Sequence, residues 1–188
     1  MKFTYLFIAF FFIIVSVKAE DTLNTKNKVT LYVGIGYNFY INEMQLYKDG
    51  IRMSNYGATF RLMWEPKYRL SLGFETGLIR MYQWQNPILR QERISLYVIP
   101  LNSVFCMQLS KIWYVNLALG TSILLNQIAT KNDVNTAIQF AIVNIYAETG
   151  LKLRLSKKFM IIPSLTYVFI SKTEDRSLLL QTKIGYTF

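Results

Sequence analysis

From Lys28 onward, apolar and polar residues alternate with a period of two along most of the chain. Such alternation marks a β-strand whose two faces meet different surroundings. It recurs eight times. The first strand spans about Lys28–Tyr40, with Val29, Leu31, Val33, Ile35, Tyr37 and Phe39 opposing Thr30, Tyr32, Gly34, Gly36 and Asn38. The second, about Asn55–Trp64, sets Tyr56, Ala58, Phe60 and Leu62 against Gly57, Thr59 and Arg61. The third, about Tyr68–Tyr82, sets Leu70, Leu72, Phe74 and Leu78 against Arg69, Ser71, Glu75 and Gly77. Strands at about Arg93–Gln108 and Phe159–Ile170 are apolar on both faces for much of their length. Those at about Ile112–Leu125, Ile138–Leu155 and Leu178–Phe188 alternate cleanly, the second of them placing Glu148, Lys152 and Arg154 on its polar face.

The connections alternate in length. Short ones fall at Glu65-Pro66-Lys67, Ser110-Lys111 and Ser156-Lys157-Lys158; longer ones run about Ile41–Ser54, Gln83–Glu92, Asn126–Asn135 and Ser171–Ser177. Eight strands joined this way put both ends of the sheet on the short-turn side, the wiring of a bacterial transmembrane barrel. Ten residues or more per strand meets the roughly 9–11 needed to cross a bilayer at a tilt. The pattern therefore predicts an all-β fold, an eight-stranded antiparallel transmembrane β-barrel. Aromatics reinforce it: Trp64, Tyr68, Trp113, Phe159 and Phe188 lie near the short turns, and Tyr37, Phe39, Tyr56, Tyr82, Trp84, Tyr167 and Phe169 near the loops. Two interfacial girdles are expected from that distribution. Pro100 and Pro163 fall inside strands, where a missing N–H predicts a bulge.

The N-terminus departs from this pattern. A Met-Lys start, the apolar run Phe3–Val15 and the ending Val17-Lys18-Ala19 predict a secretory signal peptide over 1–19, cleaved after Ala19, leaving one barrel domain over 20–188. Composition agrees with export to a membrane: 52% hydrophobic, 15% aromatic and only 17% charged. Loss of Lys2 and Lys18 leaves 19 basic residues against 11 acidic ones, a net charge of +8. For an exported chain the anionic neighbour is phosphorylated glycolipid, outer-membrane lipid and lipopolysaccharide, rather than nucleic acid. Cys106 is the single cysteine, so no intramolecular disulfide forms.

The ending Lys183-Ile-Gly-Tyr-Thr-Phe188, the segment Leu153-x-Leu155-Ser156-Lys157-Lys158 and Ile99-Pro100-Leu101 resemble the small outer-membrane β-barrel proteins of Bacteroidota, an OmpA/OmpX-like eight-stranded family. The resemblance spans most of Lys28–Phe188. It implies location in the cell outer membrane. It also implies handling by periplasmic chaperones and a C-terminal signal, Ile184, Tyr186 and Phe188, read by the barrel-assembly machinery.

Histidine is absent. That removes Ser-His-Asp and Cys-His nucleophile systems, histidine zinc sites and the commonest neutral-pH base. No catalytic, cofactor-binding or metal site is expected. With apolar residues facing lipid, Arg61, Arg69, Glu75, Glu148, Lys152, Arg154 and Lys183 face inward, where charges persist only when paired. The expectation is a lumen network in which the basic residues bridge Glu75 and Glu148. Arg80, Arg90 and Arg93 are candidates for charge-assisted contacts to glycolipid phosphates.

These features point to a non-enzymatic outer-membrane barrel with an envelope-structural or surface-interaction role, with an unspecified envelope protein as partner. The alternative is porin-like transport of small or apolar solutes. A secreted lipocalin-like carrier would need the reverse alternation, apolar inside and polar outside.

Overall fold

The structure, a computed structural model, describes residues 28–41, 51–52, 54–66, 69–85, 92–130 and 133–188. The expected signal peptide, and Arg90 and Tyr68, lie outside them. Eight long strands run in chain order: β1 Lys28–Ile41, β2 Ser54–Glu65, β3 Leu70–Gln85, β4 Arg93–Gln108, β5 Trp113–Ala129, β6 Val134–Leu151, β7 Phe159–Ile170 and β8 Asp175–Thr187. Two-residue segments, Ile51–Arg52 on β3 and Leu153–Arg154 on β7, extend the sheet. Each strand pairs antiparallel with the next, and β8 returns to β1 along Thr30↔Thr187 to Ile41↔Arg176, so the sheet closes. Closure leaves the spanning region without an open edge. Among the described residues no helix is long and apolar enough to cross a membrane.

The faces are inverted relative to a water-soluble protein. Ile35 is 69% exposed, and Tyr56, Phe60, Leu72, Phe74, Leu119 and Ile184 also point outward. Asn38, Glu75, Asn102, Ser122, Asn144 and Lys183 are buried inside. This polar-in, apolar-out alternation is that of a transmembrane barrel and the opposite of a lipocalin's.

Strand boundaries depart from the sequence pattern mostly at the loop ends. β3 runs on to Gln85, β5 to Ala129, β6 starts at Val134 and β8 at Asp175. At the start of β6 both faces are exposed over 134–140, so pairing outlasts the alternation there, whereas Asp175 and Ser177 of β8 and Gln83 of β3 stay buried. The prolines are a correction. Neither sits at a bulge; the ladders shift register instead between Arg80 and Tyr82 and between Gly120 and Ser122. Beside Pro100 the β3–β4 ladder skips from Thr76↔Leu101 to Ile79↔Val98 in unchanged register. Beside Pro163 the pairing to the preceding chain skips from Gly150↔Ser164 to Leu153↔Ile161. A missing N–H thus costs a local gap in pairing rather than an inserted residue.

The bulge on β3 also moves one expected girdle residue. Tyr82 is half-buried and stacks on Tyr40 with ring centroids 5.1 Å apart, packed on the core instead of outward. Trp64, Trp113, Phe159 and Phe188 near the short turns, and Tyr37, Phe39, Tyr56 and Tyr167 near the loops, are exposed.

Candidate functional site: an ion quartet closing the lumen

Arg61 on β2 and Glu75 on β3 are register partners, so their inward side chains start from adjacent points of the wall. Arg61 Nε donates to Glu75 Oε2 at 2.6 Å. Its two terminal nitrogens fork onto Glu148 of β6, at 3.0 Å to Oε1 and 2.6 Å to Oε2. A planar guanidinium presents its donors in a geometry that matches a carboxylate two-by-two. Lys183 of β8 reaches the same Glu148 at 2.5 Å and lies 3.7 Å from Glu75. Two cations and two carboxylates therefore form a neutral quartet drawn from four strands, with every side chain at most 5% exposed.

Glu148 is the hub. Its register neighbours on both sides, Asn116 of β5 and Thr166 of β7, donate to it at 3.0 and 3.1 Å. Tyr114 adds its hydroxyl at 2.7 Å. A buried carboxylate is tolerated when its lone pairs are filled in this way. Lys183 gains its place from a missing side chain: its partner across the β1–β8 ladder is Gly34.

A second layer lies toward the short turns. Lys152 Nζ donates to Glu65 at 2.7 Å, and Tyr32 and Thr30 donate to the same carboxylate at 2.8 and 3.3 Å. The space left between the two layers is about 10 Å³, roughly the room of one water. On the loop side, Ile79, Leu96, Val98, Leu124, Val168 and Ile170 are buried together with Asn38, Ser122, Asn144, Asp175 and Ser177, so apolar and polar side chains fill the interior between them.

The seven inward charges expected from sequence therefore divide. Arg61, Glu75, Glu148 and Lys183 meet in the quartet, and Lys152 joins the rim layer. Arg69 precedes β3, is half-buried, and contributes its backbone carbonyl to Gln108 N at 3.0 Å. Arg154 is exposed in the short segment after Lys152. At that rim water is within reach, and a guanidinium keeps its hydration instead of entering the lumen. Glu65, assigned to a turn in the sequence, has the same parity along β2 as Arg61, and that parity was the signal for it.

Of the three arginines considered for glycolipid contact, Arg90 lies outside the described residues, and Arg80 and Arg93 stand apart. Arg80 is held on the outer wall, while Arg93 is exposed four residues beyond Tyr97 on β4, about 13 Å at a strand's rise. Ile184 and Phe188 of the terminal strand are exposed, and the Tyr186 ring contacts Phe159 and Phe188. Among the described residues no group of three or more His, Cys, Asp or Glu is placed to hold a metal.

No family model matches the chain, and no curated protein matches it by sequence. The Bacteroidota resemblance thus gains no support. Solved structures do match in fold. Ail, the attachment invasion locus protein of Yersinia pestis, superposes with a TM-score of 0.62 at 10% identity, covering 87% of this chain and 100% of Ail. A second Ail structure, in complex with the heparin analogue sucrose octasulfate, gives 0.60 at 11% identity over the same shares. Neisserial surface protein A gives 0.58 at 13% identity, covering 85% of this chain and 97% of its own. The chain has the closed eight-stranded antiparallel fold of the small outer-membrane β-barrels.

Proposed function

We propose that this chain is a non-enzymatic integral outer-membrane barrel, exported by residues 1–19, with an envelope-structural or surface-interaction role. The observation that carries the reading is the filled lumen: a neutral quartet with a water-sized gap below it and a packed layer of apolar and buried polar side chains above. Eight strands enclose a space that side chains just fill. The outward apolar belt supports placement in the bilayer, and the absence of histidine supports a role without catalysis.

Surface interaction is supported by the β5–β6 hairpin. β6 pairs with β7 only from Asn144 onward, so its first residues run past the end of β7. Positions 134–140 are all exposed, Ile138 and Phe140 at 64% each. Exposed apolar side chains on a hairpin that runs past its neighbouring strand are a usual sign of a partner surface. Assembly machinery and periplasmic chaperones belong to the proposal as the route by which any such barrel reaches its membrane.

Planar-bilayer recording of the folded protein separates this reading from transport. A sealed lumen predicts no steady conductance above the bare bilayer. Stable unitary steps in wild-type protein would favour passage of small solutes.

A further inference from the structure

The outer wall carries a feature unlike the rest of the apolar belt. Ladder pairing aligns an outward row near the loop side: Leu180 beside Tyr37, Tyr37 beside Tyr56, and Arg80 beside Tyr97. The row beneath it runs Thr182, Ile35, Ala58, Leu78, again by direct pairing. The small side chains of Ala58 and Thr182 leave a hollow below the large residues of the upper row. It forms a groove of about 790 Å³ whose lining includes Ile35, Ala58, Leu78 and Leu180, with Gln181 and Thr182 at its polar positions.

At its upper edge Arg80 is fixed. Its guanidinium carbon sits 4.4 Å from the Tyr56 ring centroid and 4.9 Å from that of Tyr97. It donates to the hydroxyls of both tyrosines, at 2.6 and 2.5 Å, and to Gln83 at 3.1 Å. Every one of those partners is neutral, and among the described residues Arg80 has no carboxylate partner. Its Nε is buried with no hydrogen-bond partner. Arg80 lies ten residues above Leu70 on β3, about 25 Å along the barrel axis at a strand's rise and usual tilt, which is the height of the apolar belt. The cation thus stands at headgroup level on the loop side, above a hollow lined by apolar groups.

We infer that this groove binds one phosphorylated glycolipid of the outer leaflet, its phosphate on Arg80 and acyl chain in the hollow over Ala58. Charge complementarity selects the head: a guanidinium pairs best with a phosphate or carboxylate. Position selects the source, because the loop-side leaflet of an outer membrane is built of phosphorylated glycolipid. The inference rests on the membrane reading above. Of the arginine contacts considered from sequence it takes up Arg80, with Tyr56 and Tyr97 holding the guanidinium in place.

The test is native mass spectrometry of the full chain folded in detergent, with added diphosphoryl lipid A, dephosphorylated lipid A or phosphatidylglycerol. Wild-type protein is expected to retain one diphosphoryl lipid A per chain and roughly tenfold less of the dephosphorylated form. Arg80→Met should bind diphosphoryl lipid A roughly tenfold more weakly, with Arg80→Lys between. Equal retention of the two lipid A forms by wild-type protein overturns the proposal without relying on any variant to fold. Equal retention of phosphatidylglycerol overturns the choice of glycolipid. A heat-dependent mobility shift on the same sample separates these failures from failure of the membrane reading, since a chain that is not a membrane barrel shows no such shift.

Discussion

Gly34 stands directly opposite Lys183 in the β1–β8 ladder, and a Cβ at position 34 would lie 2.6 Å from Lys183 Cγ and 3.0 Å from Thr59 Oγ1. The lysine stem occupies the space that any other residue would claim, and this is how a long cation on one wall reaches Glu148 on another. Two positions on, a Cβ at Gly36 would meet the Leu180 carbonyl oxygen at 2.0 Å. A lysine stem can shift; a paired backbone carbonyl cannot without breaking its ladder. Gly34→Ala should therefore cost about 1–3 kcal/mol, the usual range for overpacking, and Gly36→Ala should cost more. Urea titration of the folded barrel in detergent micelles checks the order, and equal midpoints would argue against it.

Glu148→Gln removes one charge from a balanced quartet and leaves two cations facing Glu75 alone. Breaking one partner of a buried ion pair typically costs about 3–5 kcal/mol, so a clear fall in the unfolding midpoint is expected. Arg61→Met unbalances the quartet in the opposite sense. In the double variant Lys183 and Glu75 remain as a neutral pair. The combined loss should accordingly fall short of the sum of the single losses, by about 0.5–3 kcal/mol. Additive losses would mean that the two residues do not act through one another.

The rim pair Lys152–Glu65 is wetter, with side chains 12% and 19% exposed. Pairs near solvent contribute little and are screened by salt. Lys152→Met is expected to cost about 1 kcal/mol or less, and the loss should shrink between 50 mM and 1 M salt. The effect of Glu148→Gln should stay nearly constant over that range. Melting both variants at the two salt concentrations distinguishes the layers.

The belt was legible in the sequence because each strand there has one face in an apolar medium and one in a packed polar lumen, so period-two alternation is enforced at every step. Arg61, Glu75, Glu148 and Lys183 follow from parity along their own strands. Which of them touch does not, because contact across the barrel depends on how far successive strands are staggered, and stagger leaves no mark in a single chain. Tyr82 and Glu65 were misplaced for local reasons. A register shift beside Arg80 turns Tyr82 onto the core, and the polar character of the end of β2 makes Glu65 resemble the turn that follows it. Beyond the belt, around Asn135, both faces are exposed and pairing persists with no pattern to announce it.

Heat modifiability tests most directly whether the apolar face of this closed sheet meets lipid. Residues 20–188 are folded from urea into detergent micelles, and boiled and unboiled samples are compared by electrophoresis. A closed barrel that resists the detergent in the gel should migrate faster unboiled than boiled, with β-type circular dichroism before heating. Identical migration, together with a chain that stays soluble and folded without detergent, would contradict a lipid-facing barrel.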